Sequence, residues 1–112
     1  MIELLFRLGS EYIIVKIEGN NILFGNTSFG ARLTTIDGLK LSYEGVIKSF
    51  PDLSNIPKEN NFWRAEAIRR FKEHIKSMSG DKIKAKYVID ELKQHGYILK
   101  KMKQNGFREE NY

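Results

Sequence analysis

A chain of 112 residues carrying seven Phe, five Tyr and one Trp makes one domain, long enough to bury its own core and too rich in aromatic residues for a disordered segment. The absence of cysteine excludes a disulfide framework, thiol catalysis and cysteine zinc sites. The apolar runs fall far short of the ~20 residues that cross a bilayer, and Met1 to Arg7 has neither the basic start nor the apolar length of a secretion signal, so a cytoplasmic protein with no membrane partner is expected.

Taken in order, Glu3–Leu8 and Glu11–Ile17 are rich in β-branched and aromatic residues and are separated by Gly9-Ser10. This reads as strand, turn, strand. Glu18 to Asn21 is a second turn and Ile22–Phe24 a third strand, giving an antiparallel meander. On the middle strand Ile13, Val15 and Ile17 alternate with Tyr12, Ile14 and Lys16, so the all-apolar set is expected to face the core.

Gly25 to Gly30 brackets small polar side chains with two glycines, and Asn26, Thr27 and Ser28 are a candidate ligand loop. Such a backbone can present N–H groups and hydroxyls to an anion, although its spacing fits no Walker or dinucleotide motif. A further edge strand is expected at Leu33–Ile36. Leu39–Tyr43 then continues as a strand, or, as the composition favours, Ser42 caps one or two helical turns through Lys48 in spite of Gly45, which costs ~1 kcal/mol relative to Ala in a helix. Pro51 must end that helix by Phe50.

The strongest periodicity follows. Trp63, Ala67, Ile68, Phe71, Ile75 and Met78 recur at three- and four-residue steps, which places them on one helical face. Asn60 or Asn61 is the expected cap and Gly80 the expected terminator. A second helix is expected from Lys82 to His95, with Ala85, Val88, Ile89 and Leu92 as its stripe and Gly96 closing it. Tyr97–Met102 reads as a last strand, so residues 1–103 form a single domain and 104–112 a polar tail. The fold class is therefore α+β: an antiparallel sheet from the first half, completed near the C-terminus and packed against two C-terminal helices. A winged-helix arrangement with the second helix as reader is the alternative.

The net charge of +5 is uneven. Residues 1–56 carry a balance of −1 and residues 57–112 a balance of +6. A polyanion is the partner to consider first. On the first long helix Arg69, Arg70, Lys72 and Lys76 lie off the apolar face, with Glu66 and Glu73 at pairing distances along the chain. On the second, Lys82, Lys86 and Lys93 share one ridge. Together they are the candidate phosphate contacts of a small non-enzymatic protein associated with DNA or RNA. The alternative is a protein-interaction module or inhibitor, of the kind mobile elements encode, that binds an acidic partner or self-associates through a patch at Ile83 and Tyr87. His74 and His95 have no metal-ligand spacing around them, the serines have no nucleophile elbow, and the carboxylates sit beside cations. No catalytic set, cofactor or metal is expected from them.

Overall fold

Tight turns set the sheet. Gly9 and Gly19 take φ of 62° and 60°, a left-handed conformation that side chains resist. The chain thus reverses twice within a few residues and delivers β1 (Ile2–Leu8), β2 (Glu11–Glu18) and β3 (Asn21–Asn26) as an antiparallel meander. The structure, a computed structural model, describes residues 1–26, 32–34, 39–104 and 108–111. A short β4 (Arg32–Thr34) adds to β3, near the expected edge strand. After the helices the chain returns as β5 (Ile98–Gln104) on the free side of β1. Then β6 (Arg108–Asn111), inside the segment read as a polar tail, pairs with β5. The sheet order is β4-β3-β2-β1-β5-β6, antiparallel throughout.

One face of this sheet is the floor of the core. Ile2, Leu4 and Phe6 of β1, Val15 and Ile17 of β2, Phe24 of β3 and Leu99 of β5 are all buried, as a two-residue alternation requires. β5 breaks that alternation at a bulge. Leu5 lies opposite Lys101 while Phe6 lies opposite Leu99, so Lys100 is the extra residue. The bulge shifts the parity by one. Leu99 and Met102 then both join the core, and Lys101 and Lys103 stay exposed. Without it, a strict alternation from Leu99 would turn both lysines inward.

Between β4 and β5 the described residues form three α-helices, α1 (Tyr43–Ser49), α2 (Phe62–Ser77) and α3 (Asp81–Gln94), with a 3-10 segment at Pro51–Asn55 after α1. The architecture is α+β. α3 lies on the sheet, approaching β1, β2 and β5, and buries Ala85, Val88 and Leu92. α2 buries Trp63, Ala67, Ile68, Phe71 and Ile75, the stripe its periodicity gives. Asn60 supplies the side-chain bond at its start, accepting from Phe62 N–H at 3.0 Å. Gly80, at φ 90°, serves as the N-cap of α3 rather than closing α2, which ends through Met78. Gly96 (φ 92°) closes α3 as expected: Gly96 N–H donates to Lys93 O and Tyr97 N–H to Leu92 O, the paired bonds of a Schellman stop.

α1 is short, and polar contacts from α3 tie both of its ends. At its start Ser42 Oγ accepts from Gly45 N–H at 3.0 Å, while Ser42 N–H donates to Nδ1 of the buried His95 at 2.9 Å. At its end Ser49 Oγ–H donates to the buried Glu91 carboxylate at 2.8–2.9 Å, and Gln94 Nε2–H donates to Ser49 Oγ. Burial pushes His95 below its ordinary 6.5 and Glu91 above its ordinary 4.5, since burial disfavours the charged form of each. α3 is also fastened to the β2–β3 turn. The buried Lys84 donates from Nζ to Gly19 O (2.6 Å) and Asn20 Oδ1 (3.2 Å), and Gly19 N–H donates to Asp81 Oδ1 (3.0 Å).

Two predictions follow from the α1 ties. A Cβ at Gly45 would stand 2.6 and 2.8 Å from the His95 ring and 2.8 Å from Ser42 Oγ. Overpacking of this kind costs roughly 1–3 kcal/mol, against ~1 kcal/mol gained in helix propensity. Gly45→Ala should therefore lower the urea midpoint; a higher midpoint would show that the site has slack. For His95 the folded state binds the proton less readily than the unfolded chain, so stability is present above about 6.5 and declines as pH falls toward the lowered value. The stability difference between wild type and His95→Gln should shrink between about pH 7.5 and pH 5.5; urea titrations giving a constant difference would remove His95 as the cause.

Candidate nucleic-acid interface

The candidate residues divide by what surrounds them. Arg70 points to the 3-10 segment: its Nη1 and Nη2 donate to Asp52 Oδ1 (2.8 Å) and Oδ2 (2.7 Å), its Nε donates to Glu66 Oε1 (3.1 Å), and its guanidinium lies 5.2 Å from the Phe50 ring centroid. Bidentate pairing with a planar stack is the geometry that guanidinium favours. Arg69 bonds Glu66 through Nη2 and Nε, and Glu73 through Nη1 at 2.7 Å. The hydrogen bonds from Arg69, then those from Arg70, hold the Glu66 carboxyl at about 2. The same contacts raise both guanidiniums above their ordinary value, with Glu66 the first cause for Arg69 and Asp52 for Arg70. These two arginines are thus neutralised locally by three carboxylates.

The lysines stand differently. Lys76, Lys82, Lys86 and Lys93 are exposed and make no ion pair among the described residues. Lys82, Lys86 and Lys93 hold positions i, i+4 and i+11 of α3 with Ile89 between them, a continuous stripe along the helix. The stripe borders a groove of about 340 Å³ between α3 and the sheet, lined by Lys82, Ala85, Lys86 and Ile89 on one side and by Ile2, Met102 and Gln104 on the other.

On α2 a separate groove of about 500 Å³ is lined by Asn61, Arg64, Ala65, Ile68, Arg69 and Lys72. It shares no residue with the α3 groove. The two basic ridges, whose relation the helical wheels leave open, therefore border different hollows, and Arg70 belongs to neither. Arg64 is the cation the sequence reading passed over. Its guanidinium stacks 4.9 Å from the Trp63 ring centroid and its Nε is buried without a hydrogen-bond partner. The adjoining Arg64 and Trp63 were the available signal, but propensity alone does not distinguish a stacked arginine from a solvated one.

The other candidates are quickly placed. Asn26 closes β3, while Thr27 and Ser28 lie outside the described residues. Tyr87 packs against Phe71 and His74 at centroid distances of 5.4 and 5.7 Å, and burial raises its hydroxyl well above the usual value. Ile83, one helical turn before it, is 58% exposed, whereas Tyr87 is only partly exposed. Tyr43 is held edge-on to Trp63, with its hydroxyl donating to Ile56 O. Among the described residues no group of three or more His, Asp or Glu could hold a metal ion, and no helix is long and apolar enough to cross a membrane. No protein-family model, curated protein or solved structure matches the chain.

The Arg70 geometry separates structure from binding. Arg70→Ala should lower the urea midpoint, because α2 loses its hold on the 3-10 segment, and should leave polyanion affinity unchanged. Loss of affinity with an unaltered midpoint would reverse that assignment.

Proposed function

We propose that the protein is a small nucleic-acid-associated protein that contacts phosphates through the lysine stripe of α3, Lys82, Lys86 and Lys93. The observation that carries this reading is the contrast within the basic half: Arg69 and Arg70 of α2 are matched by Glu66, Glu73 and Asp52, whereas Lys82, Lys86 and Lys93 of α3 are exposed with no carboxylate partner among the described residues. At a rise of 1.5 Å per residue the stripe extends over roughly 16 Å, which suits several phosphates of one backbone rather than a single small anion. Lys76 lies at the end of α2 and adds to the field without sharing the groove. The flanking hollow, with Ile2, Ile89 and Met102 in its lining, offers apolar surface beside the charges.

The alternative, a module that binds an acidic protein or self-associates, has Ile83 in its favour at 58% exposure. A single exposed aliphatic side chain is ordinary on a monomer's surface, and Tyr87 is turned away into its aromatic stack.

Fluorescence anisotropy with duplex and single-stranded DNA and RNA at low and high salt tests the proposal. Binding should weaken steeply with salt, and each of Lys82→Glu, Lys86→Glu and Lys93→Glu should reduce the slope of log affinity on log salt by about 1. Affinity that is indifferent to salt, or to all three reversals, would mean that the stripe is solvated surface.

A further inference from the structure

The groove beside the α3 lysines has unlike walls. Its deepest lining is Ile2 of β1 and Ala85 of α3, 2% and 3% exposed, with the half-buried Ile89 and Met102 beside them. Lys82 and Lys86 border it on the helix side and Gln104 on the sheet side. The β1–β5 register sets Gln104 opposite Ile2 and Met102 opposite Leu4, so both β5 residues stand on the helix side of the sheet. The bulge at Lys100 is responsible. With strict alternation Lys101 and Lys103 would take that wall, and the groove would be cationic on both sides. In their place it has a thioether, which suits the face of an aromatic ring, and an amide that can both donate and accept a hydrogen bond.

We infer that this groove takes one unstacked base of a single-stranded nucleic acid, its phosphates running along Lys82, Lys86 and Lys93 and its base edge meeting Gln104. The inference rests on the reading of the α3 stripe as a phosphate-contacting surface. Lys82 and Lys86 stand one helical turn apart, roughly 6 Å along the axis, exposed and in no ion pair among the described residues. Asp90 follows one turn past Lys86 and does not line the groove. Asp81 is occupied by Gly19 N–H and Glu91 by Ser49. Across the groove the β5–β6 register sets Arg108 opposite Gln104 and Glu110 opposite Met102, one residue of each sign. A ligand that fits therefore carries negative charge along one edge and an uncharged apolar body along the other. A nucleotide within a strand divides in this way. In a duplex the bases are paired and stacked against one another, so none can enter unless it is first flipped out. The volume agrees with a single base: about 340 Å³ lies at the low end of the roughly 300–1,000 Å³ that ligand sites span.

The experiment uses the full chain and labelled strands of equal length: oligo(dT), the same backbone with abasic sites throughout, and oligo(dA) holding one 2-aminopurine. By anisotropy oligo(dT) should bind about tenfold more tightly than the abasic strand. The 2-aminopurine emission should rise on binding, as the base leaves its stack, and stay unchanged when the probe is in a duplex. Ile89→Gln and Gln104→Ala leave the charge unchanged. Each should lower oligo(dT) affinity about threefold, with the salt slope intact and no loss toward the abasic strand. Lys82→Glu/Lys86→Glu should lower the slope for both strands. Ile89 packs against the core, so if Ile89→Gln fails to fold, the wild-type abasic comparison and Gln104→Ala decide. Equal affinity for the abasic and base-bearing strands, with a steep salt dependence that the lysine reversals reduce, would overturn the base groove and leave the α3 reading standing. Tighter binding of oligo(dT) that neither neutral variant weakens would place the base contacts elsewhere and also overturn it. Absence of salt-dependent binding by every strand would remove both. Equal competition by polyglutamate would make the occupant an acidic polypeptide, and equal competition by thymidine monophosphate a free nucleotide; either result overturns the single strand.

Discussion

The pairing of β1 with both β2 and β5 is the constraint on which the rest depends. β1 is a central strand formed by the first residues of the chain, and one of its two neighbours comes from beyond residue 97. The loop closed between them holds all three helices, so the chain meets the entropy of that closure before its long-range contacts form. What offsets the cost is the alternation within β1. Ile2, Leu4 and Phe6 are at most 2% exposed, each fully buried side chain contributing roughly 1.5–3 kcal/mol of hydrophobic transfer. Their burial requires α3 above them, and α3 is positioned by β5 behind it and by Lys84 and Asp81 gripping the turn ahead of it. Sheet and helix thus specify each other.

The same mutual dependence explains a residue that looks misplaced. Gly45 lies at the third position of α1, where any side chain would favour the helix more. The His95 ring occupies the space a Cβ needs, and that ring accepts the Ser42 N–H which the helix start would otherwise leave without a bond. Local helical preference has been given up for a buried tertiary contact. At the other end of α1 the Glu91 carboxylate accepts from Ser49, so a seven-residue helix too short to stand alone is held by one titratable group at each end.

Much of this fold was legible because its elements announce themselves by period. The two-residue alternation of Ile13, Val15 and Ile17 gave the inward face of β2, the stripe from Trp63 to Ile75 gave α2, and Ser42 before Gly45 gave the cap of α1. What stayed hidden depends on residues far apart in sequence. The wheel showed Arg70 as one cation of an outward ridge; its partner Asp52 lies 18 residues earlier, on a segment whose course no local pattern sets. Lys84, which no periodic pattern singles out, is buried, because the β2–β3 turn brings two oxygens within reach of its ammonium group. The β5 bulge left no mark either, since Leu99 to Lys103 fits a plain strand until its register against β1 is known. Of the candidate interface, composition gave the sign of the charge but not which charges are free to act.

That last distinction alters the meaning of the net charge. A count of +5 treats every cation alike, yet an arginine between two carboxylates contributes little field beyond about 10 Å at ordinary salt. Arg69, Arg70 and Lys40 are spent in this way on Glu66, Glu73, Asp52 and Glu11. Among the described residues Lys82, Lys86 and Lys93 along α3, with Lys76 at the end of α2, are exposed and outside any ion pair, and Lys82 and Lys86 lie beside apolar surface. Cations whose only role is solubility need no apolar neighbours, and mixing the two signs serves that role better. Lysines set next to the Ile89 groove form the pairing that a ligand with both charge and apolar parts would use. The proposed nucleic-acid ligand is of that description, with phosphates for the lysines and flat bases for the apolar wall of the groove.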